Sequence, residues 1–287
     1  MHTKIRFCFK KSIKRENISI FELMKFLKIP FLLIWRTWFY ILIVTTVLLM
    51  IPFLLILTSN EKYYSTFWKM VRIWAKILFY GMGFRLKITA DQKIEKDKSY
   101  MFCPNHTSLM DPFVMIILSK NPIIFIGKQE FVKIPIFGFF YKRVVIMVDR
   151  SCDESRKKVY ETAKKRLQNG VSLGIFPEGL VPTENVVLAP FKNGAFSLAI
   201  EHQMPIVPQV YFDGKRLFSW DFFKGYPGVF RIHQHQFIET GGLKMEDLES
   251  LKKRTYDLVY NDLVNDKKYM KDTNRPNNER EFKSPLS

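Results

Sequence analysis

The sequence predicts an α/β fold, a mixed central sheet flanked by helices, carried behind an N-terminal membrane-anchoring helix hairpin. Three observations lead there. Past Gly81 and Gly83 the chain alternates short apolar runs with polar stretches of helical period, the pattern of an α/β domain. Ahead of that point, Thr37 to Asn60 carries no charged residue, and Trp38 to Leu57 alone suffices to cross a hydrocarbon core of roughly 30 Å as a helix. A chain of 287 residues with 47% apolar content buries a full core, so one folded domain with appendages is expected.

Residues 1–36 form a basic arm, with nine lysines and arginines against Glu16 and Glu22, suited to anionic headgroups. Residues 37–83 form the anchor. Leu57-Thr58-Ser59-Asn60 is a poor cleavage site and the arm before the apolar run is long, so the run is retained rather than removed as a signal peptide. Basic residues flank it on both sides: Lys25, Lys28 and Arg36 before, Lys62, Lys69 and Arg72 after. The positive-inside rule therefore places both flanks in the cytoplasm. Pro52 within the run, and a second apolar, aromatic helix over 63–80, fit a hairpin dipping into one leaflet; a single span is the alternative.

Residues 84–264 hold the α/β domain, with candidate strands at 100–103, 123–126, 144–148, 171–176, 206–211 and 229–238. The spacing predicts an amphipathic helix over 153–169, stopped by Gly170, and a later helical stripe of Leu248, Leu251, Thr255, Leu258 and Val259. Residues 265–287 are polar, include Pro276 and Pro285, and read as a disordered tail.

The formal net charge of +18 calls for an anionic partner. The apolar run makes that partner a phospholipid membrane and not nucleic acid, for which an interleaved aromatic and arginine patch is missing outside the anchor. Cys8, Cys103 and Cys152 have neither a disulfide ladder nor zinc-type spacing, which fits a reduced compartment. His233 and His235 alternate on one face of a candidate strand with no third ligand nearby in sequence; they read as a wet sheet face, and no metal is expected.

One histidine stands in a setting that suggests chemistry. Cys103-Pro-Asn-His-Thr-Ser-Leu-Met-Asp111 directly follows a candidate strand; Pro104 ends the strand, and Ser108 with Asp111 resembles a capping box. The reversal of the chain can return the Asp111 carboxylate to the His106 imidazole. Such a pair suits general-base catalysis, the carboxylate fixing the tautomer while the other ring nitrogen takes a proton. The same spacing also suits a bland reading, a helix-capping Asp111 beside a surface histidine.

Other segments extend the pattern. Asn105-His106-x4-Asp111 resembles the first motif of the 1-acylglycerol-3-phosphate acyltransferase family, the PlsC-type glycerolipid acyltransferases. Phe176-Pro177-Glu178-Gly179 is similar to its third motif and Pro205-Ile206-Val207-Pro208 to its fourth. Between them Gly127-Lys128-Gln129-Glu130-Phe131, Pro135-Ile136-Phe137-Gly138 and Val148-Asp149-Arg150 resemble its second block, all in the family's order over about residues 84–212. The resemblance implies that His106 is the base, oriented by Asp111, that activates an acceptor hydroxyl for direct attack on an acyl thioester. No covalent acyl-enzyme is needed, in keeping with the lack of a Gly-x-Ser-x-Gly elbow.

By the same resemblance Lys128 and Arg150 match the phosphate-binding positions, Glu178 and Gly179 shape the acceptor site, Asn105 belongs to the substrate side, and Lys192 adds positive charge nearby. Amides near Gly179, or at the start of the helix after His106, are candidates for an oxyanion hole. The implied donor is acyl-ACP or acyl-CoA, with no cofactor. The implied acceptor is a lysophospholipid, 1-acylglycerol 3-phosphate first, at a membrane with the catalytic domain facing the cytoplasm. The chain departs from the family where Leu180-Val181 replaces the usual Thr-Arg. That keeps open glycerol 3-phosphate or an aminolipid, such as a lyso-ornithine lipid, as acceptor. A non-catalytic lipid-binding homologue is the reading from outside enzymes.

Overall fold

The computed structural model describes residues 2–128, 132–133, 138, 141, 145–148, 170–183 and 185–273, with side chains from residue 28 onward except at 61, 128, 148 and 272. Seven strands among these form one sheet: β1 (Arg85–Ala90), β2 (Met101–Pro104), β3 (Ile123–Lys128), β4 (Val145–Val148), β5 (Ser172–Gly174), β6 (Ile206–Tyr211) and β7 (Val229–Gln234). Their order is β1-β7-β6-β2-β5-β3-β4, parallel throughout except for the antiparallel β6–β7 pair. The fold class is the expected one, a mixed sheet between helices.

Helices cover both faces, which is why the central strands read as unbroken apolar runs. Alternate residues enter opposite layers. Met101 and Cys103, with Ile206 and Val210, join a core that also takes Phe196, Ala199, Val259 and Leu263. Phe102 and Val207 face the other side, among Phe67, Trp68, Met115 and Ile116. The first layer comprises α4 (Gly194–Glu201) and α6 (Leu248–Asn265), the second α1 (His2–Leu57), α2 (Tyr64–Gly81) and α3 (Asp111–Leu118). Helix α6 buries Leu251, Thr255, Val259 and Leu263 at four-residue intervals, so the stripe read from the sequence is the one that packs.

The anchor region differs in part from expectation. Helix α1 runs unbroken past Thr37 and through Pro30 and Pro52, and α2 follows after a short turn at Glu61–Tyr63. Among the described residues, Lys28–Leu57 is the stretch long and apolar enough to cross a membrane. The second arm, α2, was expected to share the bilayer; instead it buries Phe67, Trp68, Val71, Ala75, Leu78 and Phe79 in the protein core. Its stripe has helical period on one side, so packing on α3 and β2 competes with lipid and wins there. Gly83, at φ +79°, ends α2, its N–H bonding Tyr80 O at 2.9 Å.

Arg36, read from the sequence as a membrane-flanking charge, is buried. Its guanidinium bonds Ser219 O at 2.8 Å, Asp221 O at 3.0 Å and Lys224 O, and lies 4.1 Å over the Phe218 ring. Leu54, near the other end of α1, packs with Phe67 and Trp68. Helix α1 therefore lies along the body, held at two places, with Ile34, Ile41, Leu49 and Ile56 on its exposed face.

Two further expectations need correction. Strand β1 was not anticipated; it is an edge strand, exposed along almost its whole length, with no alternation of burial to betray it. The expected disorder from residue 265 fails for the described part, because α7 (Lys267–Asp272) is capped by Asp266, which accepts from Tyr269 N–H at 2.7 Å. Tyr269 is buried, donating to Val187 O at 2.7 Å. The helix expected over 153–169 lies outside the described residues.

Candidate active site

The site forms where adjacent parallel strands β2 and β5 end side by side, beside β6. From β2 the chain goes on to β3 on one side of the pair, and from β5 to β6 on the other. Diverging connections at the carboxyl ends of strands are where open α/β sheets place ligands. The loop after β2 carries Asn105 to Met110, and α3 begins at Asp111 with Pro112 in its first turn.

Asp111 returns to the histidine as the spacing allowed. Its Oδ2 lies 3.0 Å from His106 Nδ1 and also accepts the N–H groups of Thr107 at 2.6 Å and Ser108 at 2.7 Å. The Asp111 side chain is fully buried and that of His106 is 17% exposed, so the carboxylate is shielded while the imidazole keeps contact with the outside. With Nδ1–H given to the carboxylate, Nε2 is the ring's basic nitrogen. The expected capping box is half formed: Asp111 reaches back to Ser108 N–H, but the Ser108 hydroxyl accepts from Met110 N–H and donates to Phe218 O.

The loop after β5 holds the histidine from a second side. Phe176 stacks on the imidazole, centroids 4.0 Å apart at 18°. One oxygen of the Glu178 carboxylate accepts His106 N–H at 2.7 Å and the other accepts Ala189 N–H at 2.8 Å. Burial pushes the Glu178 carboxyl up to about 7, against the opposing pull of those two amides and of Lys215.

These contacts revise several roles. Glu178, expected to shape the acceptor site directly, is buried with both oxygens engaged; it positions His106 through the backbone. Asn105, expected on the substrate side, is also wholly buried: its Oδ1 accepts Tyr211 N–H at 2.7 Å and its Nδ2 donates to Tyr211 O at 3.1 Å. It extends the β2–β6 pairing by one side-chain step. Gly179 adopts φ +71°, and its N–H is given to Phe176 O. The suggested oxyanion donors are largely committed too, since the amides of Thr107, Ser108, Met110, Asp111 and Gly179 all bond within the protein.

Lys192 is exposed, and its N–H bonds Pro177 O at 2.8 Å, which puts it beside the Glu178 turn. Lys128 is the last residue of β3, paired with Val148; its side chain and all of Arg150 lie outside the described residues. Sequence reasoning quoted Phe176 within the Pro177-Glu178 motif but gave it no role of its own. It also missed Gly214, first residue of the one-turn α5 (Gly214–Leu217), where a β-carbon would meet Thr107 Oγ1 at 2.3 Å and Asp111 Oδ1 at 3.1 Å. No local pattern marks that glycine.

Against this geometry, residues 85–212, the part that contains the pair and both loops, match the family described as Acyltransferase. Over that span the chain is similar to the acyltransferase family. Over 181 residues the chain is 26% identical to the 1-acyl-sn-glycerol-3-phosphate acyltransferase of Borreliella burgdorferi, covering 63% of this chain and 71% of that protein. It is 26% identical over 176 residues to the human 1-acyl-sn-glycerol-3-phosphate acyltransferase beta, covering 60% and 62% respectively. Its fold resembles the crystal structure of the 1-acyl-sn-glycerophosphate acyltransferase PlsC from Thermotoga maritima, with a TM-score of 0.67 at 22% identity over 80% of this chain and 93% of that one.

Proposed function

We propose that this acyltransferase moves a fatty acyl group from acyl-ACP or acyl-CoA to the free hydroxyl of a lysophospholipid, 1-acylglycerol 3-phosphate giving phosphatidic acid. The observation that carries the reading is the His106 Nδ1 to Asp111 Oδ2 contact of 3.0 Å, which leaves Nε2 as the base. The acceptor hydroxyl gives its proton to Nε2 as its oxygen attacks the thioester carbonyl. The tetrahedral intermediate then collapses, expelling the thiolate, which takes the proton back from the imidazolium. Asp111 stabilises that imidazolium throughout. Names of the related proteins support the acceptor.

Lys128, Arg150 and Lys192 hold the anionic headgroup in this reading, and the basic surface suits both polyanionic donors. The exposed apolar face of α1 rests in the membrane, and the basic flanks keep the catalytic domain on the cytoplasmic side. A second reading is favoured by Leu180, which is half exposed where the family carries a polar residue: the acceptor is then glycerol 3-phosphate or an aminolipid. Assaying the full chain in detergent against a panel of lysolipids separates the two. Turnover of 1-acylglycerol 3-phosphate that disappears in a folded His106→Ala variant supports the first; no turnover of it by the wild type excludes it.

A further inference from the structure

The polar face of β7 gathers side chains that the acyl-transfer chemistry does not use. We infer that Asp91, His233 and His235 form a binding site for one divalent transition-metal ion, with Asp262 as the carboxylate behind both histidines. Register assembles the group. Asp91 directly follows β1, and its N–H bonds Gln234 O at 2.9 Å, which sets its side chain between His233 and His235. His233 lies on β7 and His235 just past its end, two residues on, with their ring centroids 4.1 Å apart. Asp262 comes from α6.

Ligand atoms of Asp91, His233 and His235 all lie within 4.8 Å of one another. Nε2 of His233 is 3.1 Å from Asp91 Oδ1, and Nδ1 of His235 is 3.9 Å from Asp91 Oδ2. Donors around a tetrahedral ion with bonds of about 2.0–2.1 Å stand roughly 3.3 Å apart, so the group needs only a small closure. Asp262 Oδ2 hydrogen-bonds the far nitrogen of His233, Nδ1, at 2.5 Å, and lies 3.1 Å from the far nitrogen of His235, Nε2, without hydrogen-bond alignment. A carboxylate in that place fixes the tautomer of a metal-binding imidazole and raises its basicity.

Two imidazoles and one carboxylate are a donor set for Zn2+ and its first-row neighbours rather than for Mg2+ or Ca2+. The Asp91 side chain is 42% exposed, which gives an ion a way in and leaves a position for water. One residue pair further back on the same face, Arg231 is already matched by Asp213 and Asp266, so the row of ion pairs is complete without the histidines. A bound ion ties the exposed edge strand β1 to β7, while Asp262 links both to α6; it takes no part in the reaction.

The test uses the full chain in detergent, without an affinity tag, stripped with chelator and dialysed against Zn2+. The expected result is one ion per chain and a melting temperature raised by several degrees when Zn2+ stands about 100-fold above its dissociation constant. Asp91→Asn and His235→Gln should each weaken binding at least about tenfold, and Asp262→Asn by roughly 10- to 100-fold. Asp91 is partly exposed, so its variant keeps the test alive if a histidine variant does not fold. Less than half an ion per chain, or unchanged affinity in Asp91→Asn, overturns the assignment and leaves an ion-pair cluster without a metal.

Discussion

Asp111→Asn removes one charge from the active site and nearly no volume. The amide oxygen can stay where Oδ2 is, accepting from Thr107, Ser108 and His106, so the loop geometry survives. What goes, in the proposed mechanism, is the attraction between the carboxylate and the imidazolium that forms as the acceptor loses its proton. Unit charges at the observed 3.0 Å attract by about 5.5 kcal/mol at an effective dielectric near 20. A transition state with most of the proton transferred should lose about 4–5 kcal/mol, or roughly 10^3- to 10^4-fold in kcat. The KM for the acceptor should hold within a few-fold, because the Asp111 side chain is fully buried behind the imidazole. Stability should fall by about 1–3 kcal/mol as three hydrogen bonds to a charged acceptor become bonds to a neutral one. Steady-state acylation in detergent, paired with thermal melts, measures both. A folded Asn variant with kcat within tenfold of wild type would show that the pair is structural and that proton removal happens elsewhere.

Glu178→Gln must aim an NH2 group at either His106 N–H or Ala189 N–H, so the melting temperature should drop by an amount equivalent to about 1–3 kcal/mol, with activity falling alongside. Because burial raises this carboxyl from 4.5 to about 7, its contribution to stability is full below about pH 4.5 and is lost as pH climbs through 7; the Gln variant should show a flatter decline over that window in pH-dependent melts. Arg36→Ala strips three carbonyls between Ser219 and Lys224 of their shared donor and should cost about 3 kcal/mol or more, seen as a lower urea midpoint and faster proteolysis within 218–226. Gly214→Ala drives a methyl into Thr107 and towards Asp111, so overpacking of about 1–3 kcal/mol should come with at least a tenfold loss of kcat, and full activity would mean that the loop yields without moving the pair.

The parts of the fold legible in the sequence are those where burial writes a pattern. Strands β2, β3, β4 and β6 were each placed within a residue or two at their start, because strands covered on both faces are short apolar runs. Strand β1 has one covered neighbour and open faces, so Arg85-Leu-Lys-Ile-Thr-Ala90 shows nothing of the kind. The strand expected to reach Ile238 stops at Gln234, although Ile238 still bridges Ile206. In the site, His106 and Asp111 were visible because their partnership is local, five residues apart. Glu178 and Asn105 were visible as positions but not as roles, since whether a polar side chain faces ligand or backbone depends on loops 72 and 106 residues distant. The same holds for Asp91 and Asp262, which His233 meets only after the sheet has closed.

Helix α1 is fastened near Arg36 and again near Leu54, 18 residues on, or about 27 Å along its axis. That span is close to the thickness of a bilayer's oily interior. A rod pinned at two points that far apart cannot lean by itself. With the exposed face of α1 in the membrane, as proposed, any change in the helix's tilt carries the α/β body with it, so lipid thickness would act on the orientation of the site through this one rod.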